Sequence, residues 1–167
     1  MRILLVNPRF ASGWTPYMMP PIGLGYLKAS LVKAGYKDTK ILDASGISLG
    51  KVKREVEEYK PDIVGAICFT ESRHNSLSVM EIVKKVSPRI TTILGGPHPT
   101  FMYEQILRNY SFVDTVVRGE GEETIVDLVN SIEGKGSIPP GTAWAKKGAL
   151  EIGKDREKIK NLDSLPL

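Results

Sequence analysis

The chain has 167 residues, with 23 Lys plus Arg against 19 Asp plus Glu, a formal net charge of +4 and 41% hydrophobic residues. That length and apolar content suit one self-sufficient domain and exclude disordered, collagen-like and low-complexity classes. A single cysteine, Cys68, excludes an intrachain disulfide framework and any zinc or iron–sulfur site built from this chain's cysteines alone.

The small positive surplus is dispersed. Its densest stretch, Lys154 to Lys160, is interrupted by Asp155 and Glu157 and reads as a solvated segment, so no nucleic-acid partner is expected. The apolar opening Ile3-Leu4-Leu5-Val6 is too short for a signal peptide, and no run reaches the roughly 20 apolar residues of a membrane span. The expected location is the cytoplasm, with no membrane partner.

In chain order, short β-branched runs alternate with helical patterns. The strands are expected at Arg2–Val6, Thr39–Leu42, Ile63–Phe69, Thr91–Leu94 and Thr115–Val117. Continuous apolar runs of this length suit strands buried on both faces of a parallel sheet. Helices are expected at Pro21–Ala34, ended by Gly35; Ser48–Tyr59, ended by Pro61; Ser76–Val86, ended by Pro88; Thr100–Tyr110; and Glu122–Ile132. In the last, Ile125, Leu128, Val129 and Ile132 fall on one face. Five such units predict an α/β domain, doubly wound and flavodoxin-like or Rossmann-like, with a mostly parallel five-stranded sheet in the order 2-1-3-4-5. The boundaries expected are 1–133 for this domain and 134–167 for an extension. The extension comprises a hairpin, Thr142–Ala145 and Ala149–Ile152 around Lys146-Lys147-Gly148, and a linker whose last hydrophobic residues have nothing left in the chain to dock on.

In such a sheet, ligands bind outside the carboxyl ends of the strands. The loop after the first strand, Asn7 to Pro20, is long and apolar, with Phe10, Trp14, Tyr17, Met18 and Met19; it suits a flat apolar ligand or a lid packed on its own domain. After the third strand, Thr70, Glu71 and Ser72 can bond a ligand or cap the next helix. After the fourth, Gly95-Gly96-Pro97-His98 lets backbone approach a ligand or merely turns tightly. After the fifth, Glu120 stands between Gly119 and Gly121, ahead of acids that complement a helix dipole. The chain has no G-x-x-x-x-G-K-[ST] loop, no G-x-G-x-x-G after the first strand and no G-x-S-x-G elbow. His74 and His98 have no evident acidic partner, so no catalytic triad and no metal site is legible.

Taken together, the loops resemble the N-terminal cobalamin (B12)-binding domain of radical SAM enzymes. The resemblance rests on Ile3-Leu4-Leu5-Val6-Asn7-Pro8, Pro20-Pro21-Ile22-Gly23-Leu24-Gly25-Tyr26-Leu27, Pro61-Asp62-Ile63-Val64-Gly65, Leu94-Gly95-Gly96-Pro97-His98-Pro99-Thr100, Val117-Arg118-Gly119-Glu120-Gly121-Glu122 and Asn161-Leu162-Asp163-Ser164-Leu165-Pro166. It implies a corrin over the carboxyl edge of the sheet, with its nucleotide tail in the crevice beside strands one, three and four. The residues it implies for the cofactor are Asn7, Pro8, Pro21, Ile22, Gly23, Thr70, Glu71, Ser72, Gly95, Gly96, Pro97, His98, Gly119, Glu120 and Gly121. The D-x-H-x-x-G that supplies a cobalt-ligating histidine in mutases and methionine synthase is absent, because the loop after the first strand has no histidine.

A radical SAM domain also needs three cysteines for its [4Fe–4S] cluster, whose open iron position binds S-adenosylmethionine; Cys68 reads instead as a buried small hydrophobe. The resemblance therefore implies a cobalamin module of a longer enzyme, such as a methyltransferase, with the radical SAM barrel following. The chain alone is expected to have no catalytic residues and no metal ligands. Two other readings stand beside it: a domain that kept the fold, lost the cofactor and only positions a partner, and a nucleotide- or flavin-binding flavodoxin-like protein. The latter is disfavoured by the lack of a Ser/Thr-rich phosphate cradle after the first strand.

Overall fold

The computed structural model describes residues 1–10, 20–146 and 149–166. The strands are β1 (Ile3–Pro8), β2 (Thr39–Ala44), β3 (Ile63–Ile67), β4 (Thr91–Gly95), β5 (Thr115–Val117), β6 (Thr142–Lys146) and β7 (Ala149–Ile152). The helices are α1 (Ile22–Lys33), α2 (Leu49–Tyr59), α3 (Arg73–Val86), α4 (Pro97–Asn109) and α5 (Thr124–Ile132). The strand order is β2-β1-β3-β4-β5-β6-β7. The first five strands are parallel and in the expected order, and the hairpin β6–β7 extends the same sheet antiparallel beside β5.

Side chains alternate across a strand, so each strand feeds two cores. Leu4, Val6, Val64, Ala66, Leu94 and Val116 meet α2, α3 and α4 through Val52, Val56, Val79, Met80, Val83, Ile106 and Leu107. Ile3, Leu5, Ile63, Ile93 and Val117 meet α1 and α5 through Leu24, Leu31, Ile125, Leu128 and Val129. This is why the strands read as unbroken apolar runs.

The element ends differ from expectation in instructive places. β1 runs on through Asn7 and Pro8, which stay in register with Asp43 and Ala44 of β2. Asn7 Nδ2 donates to Asp43 Oδ1 at 3.0 Å. A proline can close a strand there because no further ladder donor is required. β3 stops at Ile67, so Cys68 lies just beyond the strand. α3 and α4 each start three residues early. Pro97 takes a first-turn position of α4, where its missing N–H is no loss, and the helix kinks at Met102. Ser48 caps α2, accepting from Lys51 N. The hairpin's glycine turn lies outside the described residues.

One polar node ties the layers together at the amino end of the sheet. Asp114 Oδ2 accepts from Lys84 Nζ at 2.6 Å, Thr92 N at 2.7 Å and Thr92 Oγ1 at 3.0 Å. Lys84 Nζ also donates to Ile90 O at 2.7 Å. Asp114→Ala leaves a half-buried ammonium and a strand N–H without this acceptor, and is expected to lower stability by about 1–3 kcal/mol in urea unfolding. A midpoint unchanged from wild type would show that solvent replaces the carboxylate.

Candidate functional site

At the carboxyl edge, on the α1/α5 face, the sheet carries glycines where other positions carry aliphatic side chains. In one row across the sheet Leu5 pairs with Gly65, Gly65 with Ile93 and Ile93 with Thr115; in the next, Ile67 pairs with Gly95. Gly65 and Gly95 thus leave a floor of bare backbone. A Cβ at Gly65 would stand 3.2 Å from Leu5 Cδ2, and one at Gly121 would stand 3.0 Å from Leu27 Cδ2. Gly96 turns the chain at φ +104°, and a Cβ there would meet Cys68 O at 3.0 Å.

Above this floor is a slot of about 160 Å³. Its walls are Leu24 and Leu27 of α1, Ile125 of α5, and Leu5, Ile67, Ile93 and Val117 of the sheet; Gly23, Gly119, Gly121 and Glu122 are also on its lining. An apolar, glycine-floored slot of this size suits a flat heterocycle that presses on backbone, and β-branched residues at those glycines would close it.

Five of the residues singled out in the sequence, Gly23, Gly95, Gly96, Gly119 and Gly121, therefore converge on one slot. Pro21 and Ile22 stand beside it at the start of α1, Ile22 being 59% exposed. A second group gathers on the neighbouring loops. Thr70 Oγ1 and His98 Nδ1 are 3.2 Å apart, His98 N donates to Cys68 O, and Arg73 donates to Thr70 O at 2.8 Å. Glu71 and Pro97 are exposed on the same edge.

Other residues from that set serve the fold. The Ser72 hydroxyl is buried and accepts from Phe69 N at 3.0 Å, closing the turn into α3. Asn7 is held by Asp43, and Pro8 borders a separate cavity on the opposite face with Arg9, Ala44 and Asn75. Glu120 turns to Ile159, whose N–H donates to Oε2 at 2.6 Å.

The lining residues missed in the sequence are Leu5, Gly65, Ala66, Ile67, Ile93, Leu24, Leu27, Val117, Glu122 and Ile125. Only Gly65 carried a signal of its own, as a glycine inside a strand pattern, where glycine marks close backbone approach. Ala11 to Met19, including Trp14, Tyr17, Met18 and Met19, lie outside the described residues. Phe10, just before them, stacks on Phe69 with ring centroids 5.6 Å apart.

Cys68 is 1% exposed, and burial raises its thiol pKa above the ordinary value. It behaves as the small core hydrophobe expected. Among the described residues no group of three or more His, Cys, Asp or Glu is placed to hold a metal.

Burial, assisted by the charge of Arg73, holds His98 below the usual imidazole range. The folded chain thus binds this proton less readily than the unfolded chain. The stability it contributes is complete above the unfolded value of about 6.5 and falls as pH drops through the lower folded value. His98→Gln is expected to flatten the stability–pH curve between about pH 7.5 and 5, read as urea midpoints across that range. An unchanged slope would place the proton uptake elsewhere.

The B12 binding domain family model matches residues 12–129. The chain belongs to the B12-binding domain family. This B12-binding domain is 36% identical, over 80% of its length, to the anaerobic magnesium-protoporphyrin IX monomethyl ester cyclase of Rubrivivax gelatinosus, of which it spans 25%. It is 34% identical, over its whole length, to an uncharacterized methyltransferase of Pyrococcus horikoshii, of which it spans 38%. The chain therefore spans well under half of these curated relatives. Its fold matches the cobalamin-dependent S-adenosylmethionine radical enzyme OxsB, solved with aqua-cobalamin and S-adenosylmethionine bound, at TM-score 0.79 and 17% identity. That match covers 94% of this chain and 22% of OxsB. No described helix is long and apolar enough to cross a membrane.

Proposed function

We propose that this B12-binding domain holds cobalamin for a radical SAM enzyme, with the nucleotide tail in the glycine-floored slot and the corrin across the carboxyl edge of the sheet. The observation that carries this reading is the slot itself. Gly65, Gly95, Gly96 and Gly121 keep clear a space that a Cβ would narrow, and the walls are aliphatic. Leu24, Leu27, Ile125 and Val117 would hold the apolar tail base by contact, while the exposed Gly23 and Gly119 would let the ring edge approach backbone. On the neighbouring loops, Thr70 and His98 would offer polar contacts to the corrin's amide substituents, the hydrogen bond between them orienting the imidazole.

When bound, cobalamin would supply a transferable methyl group, and the [4Fe–4S] cluster and S-adenosylmethionine of a following barrel would supply the radical. Methyl transfer is the reaction we favour, in keeping with the methyltransferase among the relatives. The domain would orient and desolvate the cofactor, since Cys68 is buried and cannot serve a cluster. A reducing cytoplasm, where such a thiol stays free, is the compartment this chemistry requires.

Titrating the chain with hydroxocobalamin tests the reading. A saturable change in the corrin absorbance with a raised melting temperature is expected. An unchanged spectrum and melting temperature at ligand well above micromolar would overturn it, and would favour a domain that only positions its partners.

A further inference from the structure

The segment after β7 is laid back onto the wall of the slot. Gly153 is packed so tightly that a Cβ there would stand 2.2 Å from Pro139 O, which fixes where the chain leaves the hairpin. Beside it Gly141 N donates to Lys154 O at 2.7 Å, and Arg118 N donates to Gly141 O at 2.7 Å. The outgoing segment, the 139–141 loop and the end of β5 therefore lie side by side. The Arg118 guanidinium crosses them, donating to Gly153 O at 2.6 Å and Asp155 Oδ1 at 2.8 Å, and it covers the Tyr103 ring.

Further along, Arg156 pairs with Glu123 and with Asp127 in the first turn of α5. Ile159 N donates to Glu120, and Ser164, Leu165 and Pro166 border a groove with Ser30 and Lys33 of α1 and Val126 of α5. The segment is thus bonded to the start of α5 and shares a groove with α1, and these are the two helices that wall the slot.

Surface ion pairs taken singly contribute little. Here both guanidinium groups are largely buried, and their bonds are charge-assisted. Glu120 occupies a particular place in this arrangement. It does not line the slot, but the residues on either side of it, Gly119 and Gly121, do. A loop with two glycines keeps one shape only if something pins it. Among the described residues four bonds do so: Thr124 Oγ1 donating to Glu120 O at 2.9 Å, Gly119 N donating to Thr100 Oγ1 at 3.0 Å, Ile125 N donating to Gly121 O at 2.8 Å, and Ile159 N donating to the Glu120 carboxylate. Only the last of them reaches the outgoing segment.

We infer that residues 153–166 form a strap whose docking is thermodynamically coupled to occupancy of the slot, with Glu120 as the positioning residue that joins the two. The inference rests on the cobalamin reading of the slot. A ligand pressed against Gly119 and Gly121 fixes the anchor of the strap. By linkage, the docked strap must tighten the ligand by the same factor.

The test is amide hydrogen exchange of the 167-residue chain with and without hydroxocobalamin, with binding read from the corrin absorbance. Ligand is expected to slow exchange at Ile159 and its neighbours in the strap by about tenfold. Glu120→Ala is expected to remove that protection and weaken binding by about tenfold, and Glu120→Gln, which keeps an acceptor oxygen, to restore both. A bound corrin with unchanged exchange in the strap overturns the coupling alone, and so does undiminished affinity in Glu120→Ala. An unchanged corrin spectrum with the wild-type chain overturns the cofactor reading and the coupling with it. The wild-type exchange comparison decides the matter even if Glu120→Ala does not fold.

Discussion

Gly96→Val is expected to lower stability by about 2–6 kcal/mol, from left-handed backbone strain of ~1–3 kcal/mol added to overpacking of ~1–3 kcal/mol. Gly96 sits at φ +104°, where a β-branched residue is a steric outlier. Its Cβ would meet Cys68 O at 3.0 Å, Ile67 Cγ1 at 3.1 Å and Cys68 N at 3.2 Å. Two of these three are backbone atoms that cannot rotate away. The same atoms serve the turn: Cys68 N donates to Gly95 O, and His98 N donates to Cys68 O. Relieving the clash would pull α4 from the end of β3.

Gly119→Ala separates the two contributions. Gly119 also has a positive φ, +72°, but a Cβ there meets nothing within 4 Å, so only strain of about 1 kcal/mol is expected. Urea unfolding of both variants is the measurement. Equal midpoints for Gly96→Val and Gly119→Ala would show that the close approach at Cys68 does not matter.

The largest expected effect on ligand binding comes from Gly95→Val. Gly95 ends β4 with its face toward the slot, and a Cβ there meets only Val117 Cβ, at 3.7 Å, an ordinary contact. Its φ is not positive, so valine can adopt the strand conformation. The chain is therefore expected to fold with stability within about 1 kcal/mol of wild type. The added methyl groups, however, enter the slot. Hydroxocobalamin affinity is expected to fall by about 100-fold, the upper end of an overpacking cost of ~1–3 kcal/mol. Gly25→Ala is the matched control. It lies in α1 off the slot with open space at its Cβ, and should gain about 0.5–1 kcal/mol of stability while binding is unchanged. Wild-type affinity in Gly95→Val would mean that the slot is not where the cofactor's tail goes.

Much of the architecture was legible because local patterns agreed with the global fold. Alternating β-branched runs and 3.6-residue periodicities could be satisfied only by helices on both faces of a parallel sheet, and right-handed crossovers left few strand orders. The ends of elements were less legible. Prolines read as breakers, yet Pro8 closes a strand and Pro97 opens a helix, because each sits where a backbone donor is not needed. The site was half legible. Paired glycines after β4 and β5 stood out as loops, whereas Gly65 was hidden in an apolar strand. Its role depends on lying diagonal to Gly95 across a strand pairing, which no local window contains.

The C-terminal stretch shows the same divide. Its hairpin around Lys146-Lys147-Gly148 and the linker after it read as an extension leaving the domain. In the folded chain β6 and β7 complete the sheet, and Leu165 and Pro166 border a groove between α1 and α5. The sequence by itself determined the class of fold, the edge where a ligand must sit, the absence of cluster-binding cysteines from this chain, and the resemblance that named the cofactor. Only the tertiary structure decided which glycines share one slot, that Ser72 closes the turn into α3 while Glu120 accepts from Ile159, and that the outgoing segment pairs with α5. The physical reason is range. Propensity and periodicity act within a few residues, whereas a slot and its strap are made by groups far apart in the chain, as Leu5 and Ile125 on the lining of the slot illustrate.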